Sequence, residues 1–294
     1  MQEERRYGLW KGRKVLFIGD SLTAARIYPE VVKEILGIET FYHCKGGATF
    51  QHMVDGDKGL GGEYDNETDA SGVLRPLTPE DVKDMDLIVF FGGYNCRHLE
   101  PGCVGDLYKT DGTGQNTIAG NMQYVIQRIY ENLLAADNML CRLLAVTVDC
   151  SGKYPWVDAD GYTDTVPGNG KSFENMSSIQ KQVAQHNGIP CCDLFRNSGI
   201  NAYTWAWFGK DADPVNHEFS PYKLDEKGKP MSLERIRYVM GESYYQIRDG
   251  KVVLEKYEER KPFPYIGDQL HKSEAGYRRI GEVVAGAIIA AYGN

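Results

Sequence analysis

Two uninterrupted apolar runs, each ending in glycine, constrain this chain more than any other feature. They are Val15-Leu16-Phe17-Ile18 leading into Gly19, and Leu87-Ile88-Val89-Phe90-Phe91 leading into Gly92-Gly93. A strand with no polar alternation has both faces covered, as in a parallel sheet packed between helices. The glycines permit a tight exit from each strand. Ser21 follows the first run and Asn95 the second, so both are expected at the carboxyl edge of the sheet, where open α/β folds keep their sites.

The rest of the chain repeats this rhythm. Residues 38–44, 142–148 and 189–195 read as further strands, with Pro190 at a strand start. Residues 30–36 read as a helix with Pro29 as its first residue and Gly37 closing it. Thr78-Pro79 opens another, with the threonine as cap. Residues 116–138 put Ile118, Met122, Val125, Ile126, Ile129, Leu133 and Leu134 on one helical face. Residues 172–187 form a helix ended by Gly188, and a last helix runs through Ile280, Val284 and Ile288. About five strands alternating with helices predict a three-layer α/β/α sandwich with right-handed crossovers. From Arg196 to Lys261 the rhythm breaks into an aromatic cluster, Tyr203 to Phe208, and a hairpin signal at Asp249-Gly250. This segment, 196–261, is short of core residues. It is expected as an insertion near the active edge of a single domain spanning 1–294.

Composition narrows the partners. A formal charge of −8 and a pI near 5.4 argue against a nucleic-acid backbone, which needs clustered Lys and Arg. No apolar run approaches the ~20 residues that span a bilayer. The opening Met-Gln-Glu-Glu-Arg-Arg-Tyr lacks the apolar segment of a signal peptide. The compartment stays open between the cytoplasm and secretion with a leader removed, and so does the oligomeric state. The seven cysteines hold no CxxC pair, which argues against structural zinc. Cys44, Cys141, Cys191 and Cys192 lie in apolar runs as small hydrophobes, and a Cys96–Cys103 bridge is left open. The acidic, glycine-rich stretch 55–72 fails the EF-hand register, with Leu60 at position six and Asn66 at position twelve.

Ser21, His271 and Asp268 supply the groups of a catalytic triad. A serine hydroxyl becomes nucleophilic when a base takes its proton, and the base works best when a carboxylate orients it. Asp268 and His271 stand three apart before the last helix, a spacing that lets carboxylate and imidazole approach. The backbone amides of Ser21 and Gly47, with the side-chain amide of Asn95, are donors of the kind an oxyanion needs. Each residue also has a plain structural explanation: a satisfied histidine, a cap, a turn asparagine.

Four blocks in order resemble the SGNH, or GDSL, hydrolase family. They are Gly19-Asp20-Ser21-Leu22, Gly47, Gly93-Tyr94-Asn95 and Asp268-Gln269-Leu270-His271. The resemblance implies a flavodoxin-like sheet, with Ser21 as nucleophile, His271 as general base and Asp268 as its orienting acid. It also implies an oxyanion hole of Ser21, Gly47 and Asn95, and it covers residues 14–195 and 262–292. Cys96 departs from the family's frequent aspartate, and Lys45-Gly46 replaces an asparagine-containing turn. No Gly-x-Ser-x-Gly elbow occurs, and no Gly-x-Gly-x-x-Gly fingerprint follows the first strand.

The expected activity is that of a serine esterase acting on short acyl groups, with O-acetyl groups on carbohydrate as the leading substrate and no cofactor required. Tyr94, Trp156, Trp205 and Trp207 are the candidate substrate-binding side chains, since aromatic faces suit sugar rings. The same rings also serve to pack the insertion down. The alternatives are a lipid or aryl esterase of the same mechanism and a non-catalytic glycan-binding module. A phosphate-binding use of Gly19 to Leu22 is disfavoured because the turn itself carries no Lys and no glycine-rich fingerprint.

Overall fold

The computed structural model describes residues 8–57, 74–108, 116–150, 173–201, 204–210, 244–248, 251–255 and 270–293. Five parallel strands form one sheet: β1 (Lys14–Gly19), β2 (Glu39–Cys44), β3 (Leu87–Phe91), β4 (Arg142–Val146) and β5 (Cys191–Cys192). Their order is β2-β1-β3-β4-β5, the flavodoxin-like arrangement. The central strands are the ones the apolar runs mark: β3 is buried throughout, and β1 from Val15 onward. Edge strand β2 alternates exposed and half-buried residues before ending buried at His43 and Cys44.

Among the described residues, nine α-helical segments join and cover the strands: α1 (Ser21–Ala24), α2 (Ile27–Leu36), α3 (Phe50–Asp55), α4 (Pro79–Val82), α5 (Ile118–Ala135), α6 (Phe173–His186), α7 (Leu194–Asn197), α8 (Trp205–Phe208) and α9 (Glu274–Tyr292). Helices α2 and α9 pack together in one layer, while α3, α5 and α6 pack together in the other. Helix α9 comes very close to α2. A Cβ on Gly281 would fall 2.6 Å from Val31 Cβ and 2.8 Å from the Tyr28 carbonyl, so only glycine fits.

Several boundaries differ from the sequence expectation. Helix α2 begins at Ile27, two residues before Pro29, because Arg26 takes a left-handed conformation (φ 59°) that turns the chain into it. Gly37 closes it at φ 70°, as expected. Strand β5 is limited to two residues: Asp193 accepts from the Arg196 amide and starts α7 where a strand through Phe195 was expected. Leu134 is 70% exposed, because the buried face of α5 runs through Ile126, Ile129 and Leu133 and leaves it on the far side.

Strands β6 (Tyr244–Arg248) and β7 (Lys251–Glu255) pair antiparallel as a separate two-stranded unit, in the segment read as an insertion. The turn residues Asp249 and Gly250 lie outside the described residues. All seven cysteines are free; Cys96 is buried and Cys103 exposed. No described helix is long and apolar enough to cross a membrane.

Candidate active site

The nucleophile turn is assembled locally. Beyond Gly19, Asp20 caps the short helix α1, its Oδ1 accepting from the Leu22 amide at 3.1 Å while its carbonyl accepts from Ala24 at 2.9 Å. Ser21 is thereby the first residue of α1, half-buried at the carboxyl end of the second strand in the sheet. Gly19 cannot be larger. A Cβ there would lie 2.0 Å from Thr23 Oγ1 and 2.7 Å from the Phe91 carbonyl.

The oxyanion candidates leave the two neighbouring strands. Gly19 is level with Cys44 of β2 and with Phe91 of β3, so the Gly47 and Asn95 turns emerge on either side of Ser21. Gly47 adopts φ 79°, and Thr49 then caps α3. Asn95 Nδ2 donates to the Ala48 carbonyl at 3.0 Å, which ties the two turns to each other and uses one of the amide's two N–H groups. Cys96 supports the same junction. Its buried Sγ accepts weakly from the Phe50 amide at 3.5 Å, and burial pushes the thiol up to about 12, so it remains protonated.

Histidine reaches this edge from the far end of the chain. His271 Nε2 lies 2.7 Å from Ser21 Oγ, within hydrogen-bond distance, although the residues are 250 positions apart. With Nε2 unprotonated, the serine O–H donates to it, which is the pairing a general base requires. The His271 turn is held by the segment carrying α8. Lys210 N donates to the His271 carbonyl (3.0 Å), Ser273 N to the Phe208 carbonyl (2.9 Å), and Ser273 Oγ to the Trp207 carbonyl (2.8 Å). Gly276 permits this contact, since a Cβ there would stand 2.3 Å from the Phe208 carbonyl. Trp207 is 48% exposed on this segment.

Charged and polar side chains are sealed close to the pair. Lys272 and Asp149 have fully buried side chains and form an ion pair, with Nζ and Oδ2 3.1 Å apart. Lys272 Nζ also donates to the Leu270 carbonyl. The Tyr94 hydroxyl donates to Asp149 Oδ1 and accepts from the Asp149 amide at 2.6 Å. Burial and the Asp149 charge hold this phenol well above its usual range, so it stays a donor. Burial above all, and then Asp149, pushes the Asp20 carboxyl up to about 7, against the lowering pull of the Leu22 amide and, more weakly, of Lys272. Gln180 links the ends of two strands, donating to the Gly92 carbonyl and accepting from the Val148 amide, each at 2.8 Å.

Of the expected site residues, Ser21 and His271 are in contact, and Asn95 and Gly47 stand on adjoining turns. Asp268 and Trp156 lie outside the described residues. Trp205 is placed in α8. Tyr94 is corrected: expected on the substrate surface, it is 4% exposed with its hydroxyl engaged by Asp149, because the turn after Gly93 directs it inward against Phe91 and Phe173. Nothing in the sequence marks Asp149 and Lys272 as partners; the one signal is that each adjoins a residue or strand end of interest. Among the described residues no group of three His, Cys, Asp or Glu is arranged to hold a metal ion.

Fold and site together define a doubly wound α/β protein with a serine–histidine pair at the carboxyl edge of its sheet. No family model matches the chain, and no curated protein sequence does. Among solved structures it resembles SGNH/GDSL hydrolases. One is a protein of Slackia heliotrinireducens assigned to the SGNH hydrolases, at 15% identity, covering 95% of this chain and 100% of the other, with a TM-score of 0.43. Another is a GDSL-like lipase from Bacteroides thetaiotaomicron, at 13% identity over 95% and 89% of the two chains, with a TM-score of 0.38. A third is a catalytic mutant of an acetylxylan esterase from Geobacillus stearothermophilus, at 11% identity over 95% of each chain, with a TM-score of 0.41.

Proposed function

We propose that the protein is a serine esterase of the SGNH/GDSL type that hydrolyses short-chain acyl esters, with O-acetyl groups on carbohydrate as its substrate class. The observation that carries this reading is the 2.7 Å contact between Ser21 Oγ and His271 Nε2. Ser21 Oγ attacks the ester carbonyl while His271 takes its proton, giving a tetrahedral intermediate. The amides of Ser21 and Gly47 and the remaining N–H of Asn95 stabilise the oxyanion. Collapse breaks the ester C–O bond, with the His271 proton passing to the leaving alcohol. Water, deprotonated by His271, then cleaves the acyl-enzyme and restores Ser21. Asp268 is assigned to orient His271 by its place in the Asp-x-x-His block.

The carbohydrate assignment is supported by Trp207, half-exposed on the segment that is hydrogen-bonded to the His271 turn. An exposed indole on a segment bonded to the general-base turn offers a stacking face to a sugar ring. Hydrolysis of 4-nitrophenyl acetate, butyrate and octanoate by the wild type and by Ser21→Ala tests the reading. Acetate turnover that fades with chain length and disappears in the variant is expected, followed by acetate release from acetylated xylose or glucose. Equal rates for wild type and Ser21→Ala on all three esters would overturn it, and preference for octanoate would move the assignment to lipid esters.

A further inference from the structure

The esterase reading uses Ser21, His271 and the oxyanion turns, but it leaves the buried Lys272–Asp149–Tyr94 chain without a role. We propose that this chain is a brace that fixes the general base relative to the oxyanion turn, with Lys272 and Asp149 as positioning residues; the inference rests on the esterase reading above. Each of its two ends is next in sequence to a candidate site residue. Lys272 follows His271, and its ammonium also binds the carbonyl of Leu270, so the lysine closes a loop around the histidine backbone. Tyr94 precedes Asn95, and its hydroxyl is locked on Asp149 by both an O–H and an N–H contact. Asp149 joins them from the extended chain just beyond β4, and its side chain, like that of Lys272, has no solvent exposure.

Burying an ion pair is costly, and apolar packing of similar volume is often as stable or more so. A pair kept in such a place is therefore better explained by geometry than by stability. Here the pair acts across long sequence separations: Tyr94 and Asp149 are 55 residues apart, and Lys272 arrives from the other end of the chain. Among the described residues, the histidine turn is also tied to the short segment 204–210, which includes the exposed Trp207. The brace gives it a second attachment to the sheet itself. A displacement of about 1 Å at the base would cost on the order of 10²-fold in rate.

The test compares wild type with the double variant Lys272→Met/Asp149→Asn, which removes both charges and leaves no unpaired ion. Two readouts are taken on folded protein: kcat and KM for 4-nitrophenyl acetate, and the ring ¹⁵N signals of His271 by NMR, with Ser21→Ala marking the signal of a histidine deprived of its serine. The expected result is a kcat lowered at least tenfold with KM within twofold, and His271 signals shifted toward those in Ser21→Ala. Retained kcat with unchanged signals would overturn the proposal, and so would a kcat loss with unchanged signals, because the defect would then lie elsewhere. If neither protein cleaves any ester, the esterase reading fails, while the His271 signals still decide whether the pair positions the ring. Should the double variant not fold, Tyr94→Phe is read in the same way: a threefold or greater loss in kcat with shifted His271 signals supports the brace, and wild-type values on both readouts overturn it.

Discussion

The two halves of the serine–histidine pair are built in opposite ways. The Ser21 turn hangs from a strand paired on both sides, and its cap is made by the preceding residue, with a hydrogen bond spanning two positions. Among the described residues, the His271 turn follows no strand of the sheet. It is held by Trp207, Phe208 and Lys210, 61 to 66 positions back, and by a buried charge on Asp149. A locally closed turn loses little chain entropy on forming, whereas contacts across long loops form only when the rest of the fold is in place. The nucleophile is therefore the robust partner and the base the conditional one.

The comparison is tested most directly by treating the pair as one unit. Ser21→Ala and His271→Ala are each expected to lower kcat for 4-nitrophenyl acetate by ~10⁴-fold or more, and the double variant to be no slower than either, because residues that act together are not additive. Additive losses would mean the two side chains act separately despite their contact. Next in size, Lys272→Met alone strands the buried Asp149 charge and should cost about 3–5 kcal/mol in urea unfolding. Adding Asp149→Asn should return most of that loss. An equal loss in both variants would show that the lysine stem, not the charge pair, holds the turn.

A smaller effect lies on the nucleophile side. His43, at the end of β2, is fully buried, and burial pushes its imidazole down to about 4 against a partial pull upward from Asp81. The unfolded chain, with an ordinary histidine, binds the proton more readily, so this contribution is present above about pH 6.5 and is lost as pH falls through about 4. The loss amounts to about 3 kcal/mol at most, for a shift of this size. His43→Leu should flatten the acid limb of stability measured between pH 7 and 4. An unchanged slope would place the acid sensitivity on other groups.

The strands and most helix boundaries were legible because each depends on residues close together. Apolar runs mark β1 and β3, Gly37 stops α2, and Thr117 caps α5 by accepting from the Gly120 amide. Legibility failed where a neighbour decided. Strand β5 is cut short because Asp193 begins a helical turn, and Arg26 starts α2 early through a left-handed backbone that no propensity favours. Tyr94 carried the marks of a surface aromatic beside a site. Only the arrival of Asp149 from the end of β4 shows why it turns inward.

By itself the sequence determined a parallel, doubly covered sheet and delivered Ser21, Gly47 and Asn95 to one edge, because apolar runs and strand-end glycines act within a few residues. The tertiary structure alone decided that His271 reaches Ser21 and that Lys272, Asp149 and Tyr94 form a sealed chain near them. Those contacts join residues far apart in the chain, and burial, which makes the charges depend on each other, exists only once the layers have closed.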